Sequence, residues 1–212
     1  MRFKMKAVLT IMFLTAFLFG LAMADEQAGK SGQGSTSKKT EAKYEKRKPD
    51  NPEIAIETDF GTMKLELFRD VAPKHVDSML ARIREGFYNG LIFHRIIDGF
   101  MIQGGDPKGN GTGNAGYYLP AEFSDIKHVE GTLSMARAQD PNSASCQFFI
   151  CLAAAPHLNG QYTVFGHLME GYDTLQKIGK VKTGAANKPL EDVVIRKMLI
   201  LKDIADKEKS GK

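Results

Sequence analysis

Short alternating segments separated by turns are the feature that most constrains how this chain can fold. EIAIET (53–58) alternates apolar and polar residues, a turn follows at 59–61, and TMKLELF (62–68) alternates again. This pattern is typical of a β-hairpin with one buried face. Further strand-like runs are spread along the rest of the chain, at 91–97, 99–104, 131–136, 146–153, 163–169 and 192–201.

Two segments have a helical pattern instead. The first lies between Pro73, which fits a first helical turn, and Gly86, which fits a C-terminal stop. Its apolar residues recur at helical spacing, namely Val76, Met79, Leu80 and Ile83. The second is YDTLQKIGK (172–180). Because strands outnumber helices and the helices lie far apart, the pattern favours an antiparallel barrel or sandwich over alternating βαβ units.

The N-terminus predicts export. MRFKMK is basic, a long apolar run follows it, and Ala22-Met23-Ala24 fits the small-x-small pattern of a cleavage site. Residues 1–24 are therefore predicted to be a signal peptide. The alternative is a retained membrane anchor, because the uncharged run at 7–24 is just long enough to span a bilayer. With cleavage, the mature protein does not span the membrane.

The remaining chain divides into three parts by composition. Residues 25–50 contain no aliphatic side chain larger than alanine, which predicts a disordered linker. Residues 51–203 form the predicted folded domain, and 204–212 form a charged tail. The formal net charge is +4 for the whole chain but −1 for 51–212. Because the folded part is not basic, we expect no nucleic acid partner.

Several kinds of catalytic site are disfavoured by spacing. The loop 111–116 matches G-x-G-x-x-G, but Pro120 follows it where a nucleotide site needs a helix. It is better interpreted as a glycine-rich surface loop beside a groove. The five histidines and two cysteines lack metal-site spacing, and no G-x-S-x-G elbow marks a hydrolase. We therefore expect no metal and no cofactor.

The two cysteines, Cys146 and Cys151, lie five residues apart in one strand-like run. Five extended residues separate Cα atoms by about 16 Å, whereas a disulfide needs them within about 7 Å. We therefore expect two free thiols, buried as small apolar side chains.

Arg95 is a charged residue in an otherwise apolar stretch, FHRIIDGFMIQGGDP (93–107), and Gln103 follows it. A buried arginine is costly unless it is paired. From this pattern alone, a structural ion pair or an outward-facing side chain is the better interpretation of Arg95. The alternative is a groove in which arginine and amide face a ligand.

Five motifs together change that interpretation. They resemble, in the same order, the signatures of cyclophilin-type peptidyl-prolyl cis-trans isomerases: FHRIIDGFMIQGGDP (93–107), NGTG (110–113), LSMARA (133–138), QFFI (147–150) and VFG (164–166). The resemblance covers about residues 52–202. It implies a mainly β fold, a closed eight-stranded antiparallel β-barrel capped by two α-helices.

The resemblance also implies an enzymatic activity and a cellular location. The family accelerates rotation about X-Pro bonds in unfolded or flexible polypeptides and so assists folding, without a cofactor. The predicted partners are therefore proline-containing polypeptides, and we expect a monomer. The export signal and compact loops are similar to those of bacterial periplasmic members, so the periplasm is the predicted location and secretion the alternative.

Site residues follow from the resemblance, position by position. Arg95 matches the catalytic arginine. The residues that match the proline-ring pocket are Phe100, Met101, Phe149 and Leu158. Gln103 matches a contact to the substrate backbone. Further substrate-binding positions are His94 at the groove edge, Ala136 and Arg137 in a segment that pairs with the peptide, and His157 and Tyr162.

Three positions depart from the common family pattern. His157 stands where many members have tryptophan, Tyr162 where many have histidine, and Asp98 where many have proline. The tryptophan contacts cyclosporin in the family, so we expect weak cyclosporin binding here. His157 also leaves open a second function, a proline-peptide-binding chaperone or docking module with little turnover.

Overall fold

The structure of the chain is a computed structural model that describes residues 46–203. The predicted signal peptide, the linker up to residue 45 and the tail 204–212 lie outside the described residues. Within 46–203, no helix has the length and apolar character needed to cross a bilayer.

Eight antiparallel strands form one curled sheet. In chain order they are β1 (Glu53–Thr58), β2 (Gly61–Leu67), β3 (Arg95–Ile97), β4 (Met101–Gly104), β5 (Thr132–Met135), β6 (Phe148–Cys151), β7 (Val164–Glu170) and β8 (Ile195–Lys202). Their order across the sheet is β3-β4-β6-β5-β7-β2-β1-β8. The predicted hairpin is confirmed, because β1 and β2 pair directly in antiparallel register.

The sheet ends at β3 and β8, and no ladder joins these two strands in the described part of the chain. The mainly β architecture is thus confirmed, but the predicted closed barrel is not. β3 has only three residues, which limits the pairing it can make. The segments that lead into the two end strands do meet, since Ile92 forms a single antiparallel bridge with Val194 and the Phe93 N–H donates to the Val193 carbonyl at 2.9 Å.

Two α-helices cover the sheet, α1 (Pro73–Arg84) and α2 (Tyr172–Gly179). Pro73 stands in the first turn of α1, and Gly86 follows the helix with a positive φ of 70°. The four apolar residues predicted to face inward in α1 are all buried. Both predicted helices are therefore confirmed.

The buried side chains form two clusters. The larger one lies between the sheet and the helices. The smaller one consists of Met101, Phe149, Cys151, Ala155 and Leu158, and partly buried side chains pack against it. This second cluster is the apolar base of the candidate site.

Both cysteines are unpaired and buried, as the spacing predicts. Burial raises the pKa of Cys146 to about 11 and that of Cys151 to about 12. The two thiols are therefore protonated at neutral pH and serve as small packing groups.

Residues just before the predicted domain boundary contact β2. The backbone N–H groups of Arg47 and Lys48 each donate to the Glu66 carboxylate at 3.0 Å, and the Asn51 side-chain amide donates to it at 2.7 Å. Glu66 is fully buried. We call residues 46–51 the strap. Buried carboxyl groups need hydrogen-bond partners, and the strap supplies three donors to this one.

Removal of the strap should destabilise the fold. Deleting the chain up to residue 51 takes three donors from buried Glu66, and we expect a loss of about 2–4 kcal/mol in the free energy of unfolding. Urea denaturation measures this loss. Deletion up to residue 45 is the matched control, because it keeps the strap and should leave stability near that of the longer chain. Equal stability of the two deletion variants would contradict a role for the strap.

Candidate active site

One pocket on the sheet brings together ten of the eleven predicted site residues. It has a volume of about 320 Å³. Its lining residues are Arg95, Phe100, Met101, Gln103, Ala136, Arg137, Phe149, His157, Leu158 and Tyr162. The one predicted residue outside this set is His94.

Strand pairing places the polar groups of the pocket beside its apolar base. Arg95 on β3 pairs with Gln103 on β4, and Gln103 pairs with Phe149 on β6. Paired residues on adjacent strands project from the same face of a sheet. The three side chains therefore form a row across the pocket wall.

Arg95 has an amide as its partner rather than an acid. Its Nη1 donates to Gln103 Oε1 at 3.3 Å, and Gln103 Nε2 donates to Gln147 Oε1 at 3.0 Å. Across residues 46–203, Arg95 takes part in no ion pair and is half-buried. The structural ion pair favoured by the local pattern is therefore wrong for the described chain. A fixed cation stands at the edge of an apolar pocket with N–H donors to spare.

The base of the pocket is apolar and closely packed. Met101, Phe149 and Leu158 are each less than 10% exposed. The Phe149 ring meets Tyr162 edge-on, with centroids 5.9 Å apart and an interplanar angle of 82°. Such a base fits a small apolar ring, and an aromatic pair in this geometry is stabilising in its own right.

His128 supports Phe149 from behind, and sequence reasoning missed it. The two rings stack at 6.0 Å with an angle of 13°. The ring nitrogens of His128 lie 3.2 Å from Asn159 Oδ1 and 3.1 Å from Ser134 Oγ. Burial lowers the pKa of His128, which keeps the ring neutral near pH 7. A lone histidine in a single sequence carries no sign of such a position.

A second pocket adjoins the first and shares Gln103, Ala136 and Arg137 with it. Its far wall includes residues 111–114 of the glycine-rich loop, which confirms that this loop lies beside a groove. An extended peptide seated in the first pocket would continue into the second. We call the two pockets together the groove.

His94 does not line either pocket. It is 5% exposed and lies beneath the glycine-rich loop near Gly111. Both ring nitrogens are buried without a hydrogen-bond partner in the described part of the chain. Burial lowers the pKa of His94 and so favours the neutral ring. His94 is therefore buried beneath the loop that lines the second pocket, and its substrate-binding role stays a prediction.

Asp98, one of the three departures from the family pattern, lies outside the groove. Its carboxylate accepts two hydrogen bonds from Lys180 Nζ, at 2.8 and 2.9 Å. Both side chains are largely exposed, so this pair contributes little to stability. The described residues contain no cluster of His, Cys, Asp and Glu that could hold a metal ion.

Comparisons with known proteins agree with this geometry. The family model "Cyclophilin type peptidyl-prolyl cis-trans isomerase/CLD" matches residues 53–200. A probable peptidyl-prolyl cis-trans isomerase of Brucella suis is 48% identical over 156 residues, covering 66% of this chain and 79% of that protein. Peptidyl-prolyl cis-trans isomerase CYP18-1 of Arabidopsis thaliana is 42% identical over 153 residues, covering 69% and 94%.

A solved structure has the same fold. The crystal structure of a cyclophilin type peptidyl-prolyl cis-trans isomerase of Cryptosporidium parvum aligns with a TM-score of 0.69 at 37% identity, covering 72% of this chain and 99% of that one. The chain therefore belongs to the cyclophilin-type peptidyl-prolyl cis-trans isomerases. It is an enzyme that interconverts the cis and trans forms of X-Pro peptide bonds.

Replacing His94 by leucine should leave catalysis nearly unchanged. The side chain is buried away from the groove, and leucine of similar size removes two unpaired polar atoms. We expect kcat/KM within about twofold of the parent and a thermal midpoint that is equal or higher. Isomerisation of a short X-Pro peptide and a thermal melt measure the two. A tenfold or greater loss of kcat/KM in a folded variant would restore a substrate-binding role for His94.

Proposed function

We propose that Arg95 is the catalytic residue and that the apolar pocket holds the proline ring of the substrate. The observation that carries this proposal is the place of Arg95, half-buried at the edge of the pocket and bonded to Gln103. On this proposal, Gln103 and the backbone near Ala136 hold the peptide while its amide turns.

The chemistry needs no bond to be broken. Partial double-bond character gives the X-Pro amide a rotational barrier of ~18–20 kcal/mol, and uncatalysed exchange takes tens to hundreds of seconds. A catalyst must stabilise the twisted amide more than either planar form. In the twisted state conjugation is lost, and the proline nitrogen becomes pyramidal and accepts a hydrogen bond.

Arginine suits this task for three reasons. It stays charged at every physiological pH, it carries five N–H donors, and its planar fork holds its direction. Its bond to Gln103 uses one donor and limits the motion of the guanidinium. Partial burial strengthens its field. A rate increase of about 10⁵ requires roughly 7 kcal/mol of selective stabilisation, shared between this donor and the orientation of the peptide.

Finer features belong to the same proposal. The sheet would act as a closed barrel, with its seam at the bridge between Ile92 and Val194. The protein would act as a monomer and assist the folding of exported polypeptides. It would bind cyclosporin weakly, because His157 offers less apolar surface than the tryptophan of many relatives.

A binding module with little turnover is the second candidate. His157 favours it, because this exposed residue stands on the pocket rim beside Phe100, with ring centroids 5.4 Å apart. A less complete rim could hold a proline ring without orienting the amide. NMR exchange spectroscopy separates the two functions, since a module would bind the peptide without faster cis–trans exchange.

Arg95→Ala should lower kcat/KM for a short X-Pro peptide by about 10²–10³, because a charge-assisted donor to the transition state is lost. Arg95→Lys should recover only part of the activity, since lysine keeps the charge but not the fork. NMR exchange of the peptide measures both. The matched control is Arg196→Ala, which removes an arginine paired with Asp59 outside the groove and should stay near the parent value. Unchanged exchange in Arg95→Ala would contradict the mechanism.

The cellular location of the protein is also part of the proposal. The N-terminal pattern supports export to the periplasm, with secretion as the alternative. N-terminal sequencing of the protein recovered from the cell envelope should begin at Asp25, because the small-x-small site ends at Ala24. An intact N-terminus in the membrane fraction would favour a retained anchor instead.

A further inference from the structure

The groove is cationic although the domain is not. Among the described residues, its lining contains the two arginines Arg95 and Arg137 and no aspartate or glutamate. The chain from residue 51 to 212 has a formal net charge of −1. The positive lining is therefore a local feature, and Arg137 is the one charged residue that borders both pockets.

Arg137 is held in place by neutral acceptors. Its Nε and Nη2 donate to the Gln161 carbonyl at 3.2 and 3.0 Å. Its Nη1 donates to the carbonyls of Ala138 and Gln139, both at 2.9 Å. These bonds use four of the five N–H groups and fix the guanidinium plane. Because carbonyls carry no net charge, they orient the cation without neutralising it.

The nearest acidic residue along the chain does not neutralise Arg137 either. Asp140 accepts a hydrogen bond from the Asn142 N–H at 2.9 Å. No ion pair joins it to Arg137 in residues 46–203. Among the described residues, Arg137 therefore has no acidic partner within ion-pair distance.

An aromatic contact ties this cation to the pocket base. The Arg137 guanidinium carbon lies 4.5 Å from the centre of the Tyr162 ring, a cation–π geometry. Tyr162 in turn meets Phe149 edge-on. The cation is thus rigidly placed beside the pocket that we propose for proline, and binding a substrate charge there costs little side-chain entropy.

We infer that Arg137 is a specificity-determining residue that makes this isomerase prefer acidic substrates. Segments with Asp or Glu within two residues of the proline are better substrates than segments with Lys or Arg there. The remaining N–H of Arg137 and its uncompensated charge attract a carboxylate and repel an ammonium group. This inference rests on the proposed function, since it takes the groove as the place where the X-Pro segment binds.

The partial exposure of Arg137 limits the size of the expected preference for acidic peptides. Arg137 is half-buried, so water and salt screen part of its field. We expect kcat/KM to differ by about two- to fivefold between acidic and basic peptides at low ionic strength, in the range of exposed ion pairs. Added salt should shrink the difference.

The test uses matched peptides with the full protein. Each peptide carries Glu, Gln or Lys at one position within two residues of a single proline, and NMR exchange gives kcat/KM for each. The parent protein should rank Glu above Gln above Lys at one position or more. Arg137→Gln should bring the Glu-to-Lys ratio close to one. Because the ratio is taken within each variant, a general loss of activity in that variant cancels.

Two further variants sharpen the result. Arg137→Lys keeps the charge but loses the carbonyl network, so it should retain only part of the preference. Arg196→Gln removes one positive charge outside the groove, and it should keep the parent ratio.

The possible outcomes separate the two proposals. Equal rates for the Glu and Lys peptides, with the Gln peptide still isomerised, would overturn the preference and leave the proposed function standing. A preference that survives in Arg137→Gln would overturn the role of Arg137. If no peptide exchanges faster with the parent protein than without it, the proposed function fails and the inference fails with it.

Discussion

The site depends on the register in which β4 pairs with its two neighbours. That register sets Gln103 opposite Arg95 on one side and opposite Phe149 on the other. A slip of one residue would turn every side chain of β4 to the opposite face of the sheet. Gln103 would then leave the pocket, and Arg95 would lose the amide that orients it. The backbone ladder is therefore a condition for the chemistry as well as for the fold.

The two arginines of the groove differ in how many of their N–H donors already make hydrogen bonds. Arg95 is joined to one neutral amide and keeps donors for a substrate, whereas Arg137 has nearly all its donors engaged. The arrangement at Arg95 suits a group that must donate a hydrogen bond to a substrate atom whose bonding changes during the reaction. The arrangement at Arg137 suits a cation that is held in one position and acts on a substrate charge through its electric field. Both avoid an acidic partner, which would cancel the positive potential that the groove presents.

Much of the fold could be predicted from the sequence, because the hairpin and both helices have strong local periodicity. All eleven predicted site residues came from a resemblance, and ten of them line one pocket, since β3, β6 and the 3₁₀ turn at Pro156–Leu158 meet only through long-range pairing. His94 lies outside both pockets, because the glycine-rich loop, distant in sequence, covers it near Gly111. His128 and the donors to Glu66 were missed, since a buried polar partner leaves no periodic signal.

The strap also determines which strands bear a load applied at the start of the described chain. Arg47 and Lys48 are held against β2 through their contacts to Glu66, and Lys46 contacts Glu53 on β1. A force applied at residue 46 would therefore load the contacts to Glu53 and Glu66, on β1 and β2, whereas the side chains of the pocket lie outside these two strands.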